Sequence, residues 1–226
     1  HVERLVLVHL GGVDDLLTWE GLPEVDRIVI TVTSTAQARV RDWFAAGHPA
    51  IVARGDRNDD VQVLRLGVPL PPAEGKQRLS LRVPLCDVAG MRAPPALSEL
   101  LAAGDAGVPQ PWQESLHDLQ ALAPARVFGA FAWQWLTALP YVHERSDIDL
   151  LWQVTDAAQA EALIAQLLAW ESRHPHRLDG ELCLPDGGAV NWRELAGRSR
   201  QVLVKRLDGA ALEARDALFN TCEVTA

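Results

Sequence analysis

The sequence predicts an α+β protein of two domains, and three observations carry that prediction. Strand-like apolar runs of period 2 alternate with amphipathic segments of period 3.6 along the chain. A break of turn-forming residues, Gly104-Asp105-Ala106-Gly107-Val108-Pro109, interrupts the pattern near the middle. The length of 226 residues suits one large or two small domains. Residues 1–108 are therefore expected as an N-terminal α+β domain and 109–226 as a second domain with a mixed sheet flanked by helices.

In chain order, residues 4–10 read as a strand, and Ile28-Val29-Ile30-Thr31-Val32 reads as another, rich in β-branched residues. A helix is expected from about Thr35 to Ala46. Its Ala36, Val40, Trp43 and Phe44 share one face, Gly47 sits at the C-terminal cap position, and Pro49 prevents continuation. Short strands follow near 50–53, 61–66 and 78–83. The charged run from Arg54 to Asp60 reads as a solvated loop. Two helices, 96–103 and 112–122, flank the central break.

The second half begins with a short strand, Arg126-Val127-Phe128. Gly129-Ala130 turns it into a helix from about Phe131 to Ala138. A strand follows to about Val154. Thr155 or Asp156 can cap a helix over 157–171, with Leu163 and Leu167 on its core side. The segment 177–184 alternates as a strand, Pro185-Asp186-Gly187-Gly188 makes a hairpin turn, and Ala189-Val190 returns. Asn191 can cap a short helix starting at Trp192. Gln201–Arg206 is the last strand, turning at Asp208-Gly209.

Composition excludes several classes. The net charge of −9 argues against general nucleic-acid binding, which needs a basic surface. No apolar run approaches the ~20 residues of a membrane span. No basic stretch followed by an apolar run marks a secretory signal. Cys86, Cys183 and Cys222 are few and widely spaced, as expected for a reducing cytoplasm. His174-Pro175-His176 lacks a third metal ligand nearby and reads as a loop.

The chemistry concentrates in Ser146-Asp147-Ile148-Asp149-Leu150-Leu151. On a strand Asp147 and Asp149 share one face, while Ile148 and Leu150 enter the core from the other. Neighbouring carboxylates raise each other's pKa unless a counter-charge arrives. Mg²⁺ suits that role, since it takes oxygen ligands from one or two carboxylates plus substrate phosphates. The Gly129-Ala130 turn opens a helix whose N-terminal N–H groups favour a phosphate.

Strand, small-residue turn, helix and an Asp-x-Asp strand together resemble the nucleotidyltransferase superfamily. The longer run Phe128-Gly129-Ala130-Phe131-Ala132-Trp133-Gln134-Trp135-Leu136-Thr137-Ala138-Leu139-Pro140-Tyr141, then Ser146-Asp147-Ile148-Asp149, resembles the phosphoribosyl-dephospho-CoA transferase of bacterial malonate decarboxylase. Asn191-Trp192-Arg193-Glu194 and Val202-Leu203-Val204-Lys205 extend the match, as do weaker N-terminal patterns around Gly47-His48-Pro49 and Gly67-Val68-Pro69. The family pattern has Gly-Ser where this chain has Gly129-Ala130, so a hydroxyl is missing beside the expected phosphate.

The resemblance implies a Mg²⁺-dependent transferase. Its donor would be 2′-(5″-triphosphoribosyl)-3′-dephospho-CoA, and its acceptor a serine of the apo acyl carrier protein of malonate decarboxylase. Asp147 and Asp149 are the expected metal ligands. Gly129, Ala130, Ser146 and Lys205 are the expected substrate-binding positions. A third carboxylate is expected from the following strand, where Asp179 and Glu181 share a face. Parity does not separate them, and the longer arm of Glu181 favours it. Arg193, Arg198, Arg200, Lys205 and Arg206 are candidates for a basic docking patch. Some of the five tryptophans between Trp133 and Trp192 are candidates for an adenine platform. Two other readings compete: a nucleotidyltransferase acting on a small molecule, and a degenerate, non-catalytic binding module, for which Ala130 is the best argument.

Overall fold

The computed structural model describes residues 7–10, 34–53, 62–75 and 77–220. The strand expected at Ile28–Val32 and the loop Arg54–Asp60 lie outside them. The architecture is α+β, with helices set against two sheets. The chain divides into two compact units with the seam between Ala93 and Pro94.

The first unit contains β1 (Leu7–Leu10), α1 (Ser34–Ala45), β2 (Ala50–Val52), β3 (Val63–Pro69), β4 (Arg78–Pro84) and β5 (Val88–Arg92). Its strands form one antiparallel sheet in the order β4-β3-β2-β1-β5. Helix α1 buries Val40, Trp43 and Phe44, and it stops at Gly47, whose φ of +76° suits a residue without a Cβ. The indole N–H of Trp43 donates to the Pro49 carbonyl at 3.0 Å. Strand β5 has little sequence signal, because Val88 is its single β-branched residue.

The second unit opens with α2 (Leu97–Ala102) and α3 (Gln110–Leu122). It continues through β6 (Arg126–Val127), α4 (Gly129–Thr137), β7 (Ile148–Gln153), α5 (Ala157–Glu171) and β8 (Leu178–Cys183), then β9 (Ala189–Asn191), α6 (Trp192–Ala196), β10 (Gln201–Arg206) and β11 (Gly209–Ala214). The sheet order is β11-β10-β9-β8-β7-β6. Only β7 and β8 pair in parallel, so the sheet is mixed. Their connection is α5, the crossover helix that parallel neighbours require.

The seam falls well before the sequence-derived break at Gly104–Pro109. That break is a tight turn inside one core. Leu97 and Leu100 of α2, Val108 of the turn and Trp112 of α3 pack together with the sheet residues Ile148, Leu150 and Leu182. Leu97 N also donates to Ala125 O at 2.9 Å, and Val127 N to Pro95 O at 2.8 Å. Breaker residues mark a turn without saying whether the elements on either side share a core.

The Asp156 carboxylate caps α5 by accepting from Gln159 N at 2.8 Å. The helix buries Ala160, Leu163, Ile164, Leu167 and Trp170. Strand β7 points Ile148, Leu150 and Trp152 into that core, and β8 adds Leu178 and Leu182. His174 and His176 fix the end of α5 to α3. Their Nδ1 atoms lie 3.2 and 2.7 Å from Ser115 Oγ, His174 Nε2 meets Asp118 at 3.0 Å, and the rings stack on Trp170 and Trp112.

Gly180 of β8 pairs with Leu150 of β7. A Cβ there would lie 2.5 Å from the Leu150 carbonyl oxygen and 2.7 Å from the Trp152 ring. Gly180→Ala is therefore expected to lower stability by about 1–3 kcal/mol, read as a lower denaturant midpoint. An unchanged midpoint would mean that the two strands can separate freely.

Candidate active site

The face of β7 and β8 opposite the core carries the chemistry. Parallel pairing places Asp149 level with Asp179 and Leu151 level with Glu181. One residue before β7, Asp147 projects to the same side, and one residue before β8 so does Arg177. The Arg177 guanidinium contacts the Asp147 carboxylate at 3.3 Å. Ile148 N donates to Arg177 O at 2.8 Å, so the two chains are already joined at that level.

Each carboxylate has a different environment. Asp147 is 34% exposed. Asp149 is mostly buried, and its carboxyl is pushed up to about 7. Burial is the largest cause, followed by the negative charges of Asp179 and Asp147, with a smaller push from Glu181; Arg177 opposes them. Asp179 Oδ1 accepts from Gly180 N and from Asn191 Nδ2, both at 2.8 Å. Two donors on one oxygen fix the orientation of that carboxylate. Glu181 is 8% exposed and takes the Lys205 ammonium at 2.8 Å.

The N-terminus of α4 closes the site from the β6 side. Phe128 N donates to Asp149 O at 3.0 Å, and Gly129 has φ +64°. A Cβ on Gly129 would fall within the Asp149 carboxylate, so this position needs glycine on both grounds. No side chain caps α4, and its first turn carries no acidic residue. Its free N–H groups, beginning at Gly129 and Ala130, thus lie beside the carboxylate group.

The expected site residues are only partly gathered. Asp147, Asp149, Asp179 and Gly129 converge, with Glu181 and Lys205 on the same face but paired with each other. Ser146 is buried, and its Oγ accepts from His143 N at 2.9 Å. It shapes the turn into β7. The tryptophan platform does not form: Trp133, Trp152, Trp170 and Trp192 are core residues, and Trp135 packs against that core. The suggested basic patch is divided. Arg193 binds Glu171, Arg206 binds Asp186 and Glu213, and Lys205 binds Glu181, which leaves Arg198 and Arg200 on an exposed turn.

Sequence reasoning missed Arg177, although Arg177-x-Asp179-x-Glu181 has the period-2 spacing that would have found it. Asn191 was recognised only as a cap. It does cap α6 by accepting from Arg193 N at 2.9 Å, but its amide also holds Asp179, which no local pattern reveals. Among the described residues, no group of three or more His, Cys, Asp or Glu side chains is placed to hold a metal ion. None of the described helices is long and apolar enough to cross a membrane.

A strand-borne group of acids beside an uncapped helix N-terminus, on a mixed sheet, marks the second unit as an enzyme domain of the group-transferring kind. The comparisons with known proteins agree. The Phosphoribosyl-dephospho-CoA transferase MdcG C-terminal domain matches residues 97–216, and the corresponding N-terminal domain matches residues 7–94. A phosphoribosyl-dephospho-CoA transferase of Xanthomonas campestris pv. campestris (strain 8004) is 52% identical over 193 residues, covering 83% of this chain and 89% of the relative. One from Xanthomonas axonopodis pv. citri (strain 306) is 50% identical over the same shares. One from Bradyrhizobium diazoefficiens is 41% identical over 152 residues, 65% of this chain and 66% of that protein. No solved structure matches the chain significantly. The chain belongs to the phosphoribosyl-dephospho-CoA transferase family, and its activity is that of a transferase.

The raised Asp149 carboxyl gives a pH signature. Between its ordinary value of 3.8 and about 7, the folded protein holds a proton that the unfolded chain has released. Stability should therefore fall as pH rises through that window. In chelator, Asp149→Asn is expected to melt higher than the parent at pH 8, with the difference vanishing near pH 4. A difference independent of pH would show that Asp149 is well solvated.

Proposed function

We propose that this transferase moves the 2′-(5″-phosphoribosyl)-3′-dephospho-CoA group from its triphosphate precursor to a serine of the apo acyl carrier protein of malonate decarboxylase. The reaction is of the nucleotidyltransferase type, depends on Mg²⁺ and takes place in the cytoplasm. The serine oxygen forms a bond to the α-phosphorus as the bond to pyrophosphate breaks, leaving a phosphodiester on the carrier. The observation that carries this reading is the convergence of Asp147, Asp149 and Asp179 beside the uncapped start of α4.

The residues present suit a hard divalent cation. All donors are carboxylate oxygens, and Asp149 bears an excess of negative surroundings that a cation would relieve. Asp147 and Asp149 would hold it. When bound, such an ion neutralises charge on the transferring phosphoryl group. The N–H groups at Gly129 and Ala130 bind phosphate oxygens. Ala130 supplies no hydroxyl, so the backbone carries that contact.

Asp179 is the better third carboxylate. It faces Asp149 directly, and the two donors on Oδ1 leave Oδ2 to take the serine proton or a ligand position. The argument for Glu181 from reach gives way to its ion pair with Lys205, which already gives this carboxylate a cation. Positioning and charge neutralisation supply most of the rate in such chemistry.

Mass spectrometry of the apo carrier protein after incubation with enzyme, Mg²⁺ and the triphosphoribosyl donor tests the reading. The expected result is a mass gain of one phosphoribosyl-dephospho-CoA group with equimolar pyrophosphate. An unmodified carrier would overturn it. Asp147→Asn and Asp149→Asn are each expected to lose at least about 10³ in kcat, roughly 4 kcal/mol of transition-state stabilisation. Asp179→Asn should lose at least about tenfold more than Glu181→Gln, a difference of about 1.4 kcal/mol. Equal losses at the two positions would reject the assignment of Asp179.

A further inference from the structure

Arg177 differs from the cations of its unit that several partners hold in place. Arg193 is held by Glu171 and by the Leu178 carbonyl, and Arg206 by Asp186 and Glu213. Arg215 donates to the carbonyls of Leu195, Glu194, Gly197 and Ser199. Arg177 makes a single 3.3 Å contact with Asp147, and its side chain is 68% exposed. A solvent-facing ion pair of this kind is weak and easily exchanged. A guanidinium has five N–H donors in a rigid fork, which leaves most of them uncommitted here.

Its place in the sheet gives this freedom a use. Arg177 extends β8 by one residue, level with Asp147 and on the face of Asp149 and Asp179. That face is dominated by acids, and a polyphosphate approaching it meets repulsion. Lys205 is committed to Glu181 further along the strand. Arg177 is the cation at the open, Asp147 end of the group, on the side where the strands begin. Once the charge of Asp147 is met by another cation, nothing else holds the guanidinium back from an arriving anion.

We propose that Arg177 is a phosphate-binding residue of the donor site, gripping the part of the triphosphate that leaves as pyrophosphate. The inference takes the identity of the anion from the reaction proposed above. The planar fork of Arg binds two phosphate oxygens at once, a geometry that Lys does not reproduce. Asp147 thus serves two purposes: it is a cation ligand, and in the free protein it parks the guanidinium next to where the phosphate arrives.

The test uses inorganic pyrophosphate as the probe, titrated calorimetrically into the full chain with Mg²⁺ present. Arg177→Gln is expected to weaken pyrophosphate binding at least tenfold, about 1.4 kcal/mol. KM for the donor should rise in parallel. Arg177→Lys should recover part of the affinity, since it keeps the charge and loses the fork. Mg²⁺ titrated alone should bind Arg177→Gln as tightly as the parent or more tightly, because a competing cation is gone. Pyrophosphate binding unchanged in Arg177→Gln would overturn the proposal and reduce Arg177 to a counter-ion. So would a parent protein that does not bind pyrophosphate. A parent that binds pyrophosphate through Arg177 but leaves the carrier unmodified would refute the carrier-directed reaction and leave this inference standing.

Discussion

The parallel pairing of β7 with β8 is the constraint on which the rest of the second unit depends. It brings Asp149 and Asp179, thirty residues apart in the chain, to the same level. Its register is held from the opposite face, where Ile148, Leu150, Leu178 and Leu182 are fully buried under α5. A slip of one residue would drive the carboxylates into that core and the aliphatic side chains into water, so the hydrophobic face enforces the acidic one. Gly180 keeps the core face of this pairing clear of a Cβ that would meet the Leu150 carbonyl oxygen and the Trp152 ring.

Gathering acids on a partly buried surface is costly, and the surrounding residues show how the cost is limited. Lys205 neutralises Glu181, the most buried of the four. Asn191 and Gly180 N give Asp179 two donors without adding charge. Arg177 partly screens Asp147 and Asp149. Burial, and then the negative charges of Asp179 and Asp147, push the Asp149 carboxyl up to about 7. That carboxyl lies against Gly129 and the first turn of α4, the position where cation and phosphate chemistry would be most useful.

The family spans both units, with its two domains meeting near the seam at Ala93 and Pro94. Helix α2 belongs with the second unit because Leu97 and Leu100 share its core. The Gly- and Pro-rich turn between α2 and α3 punctuates the chain without dividing the molecule. Sequence breakers report local backbone freedom, whereas a domain seam reports where packing stops.

The sequence by itself determined the local elements whose signals are short-range. The cap at Asn191, the 3.6 period of α5 with its cap narrowed to Thr155 or Asp156, the glycine turn before α4 and the alternation around Asp147 and Asp149 were all legible, because each depends on neighbours within a turn or a few residues. Tertiary structure decided what depends on register and burial. It decided that Asp179 rather than Glu181 faces Asp149, and that Lys205 spends its charge on Glu181. It turned Ser146 inward and set Arg177 against Asp147. Strand parity gives each side chain a face but not a level, and the pairing of β7 with β8, β8 with β9 and β9 with β10 supplies the level.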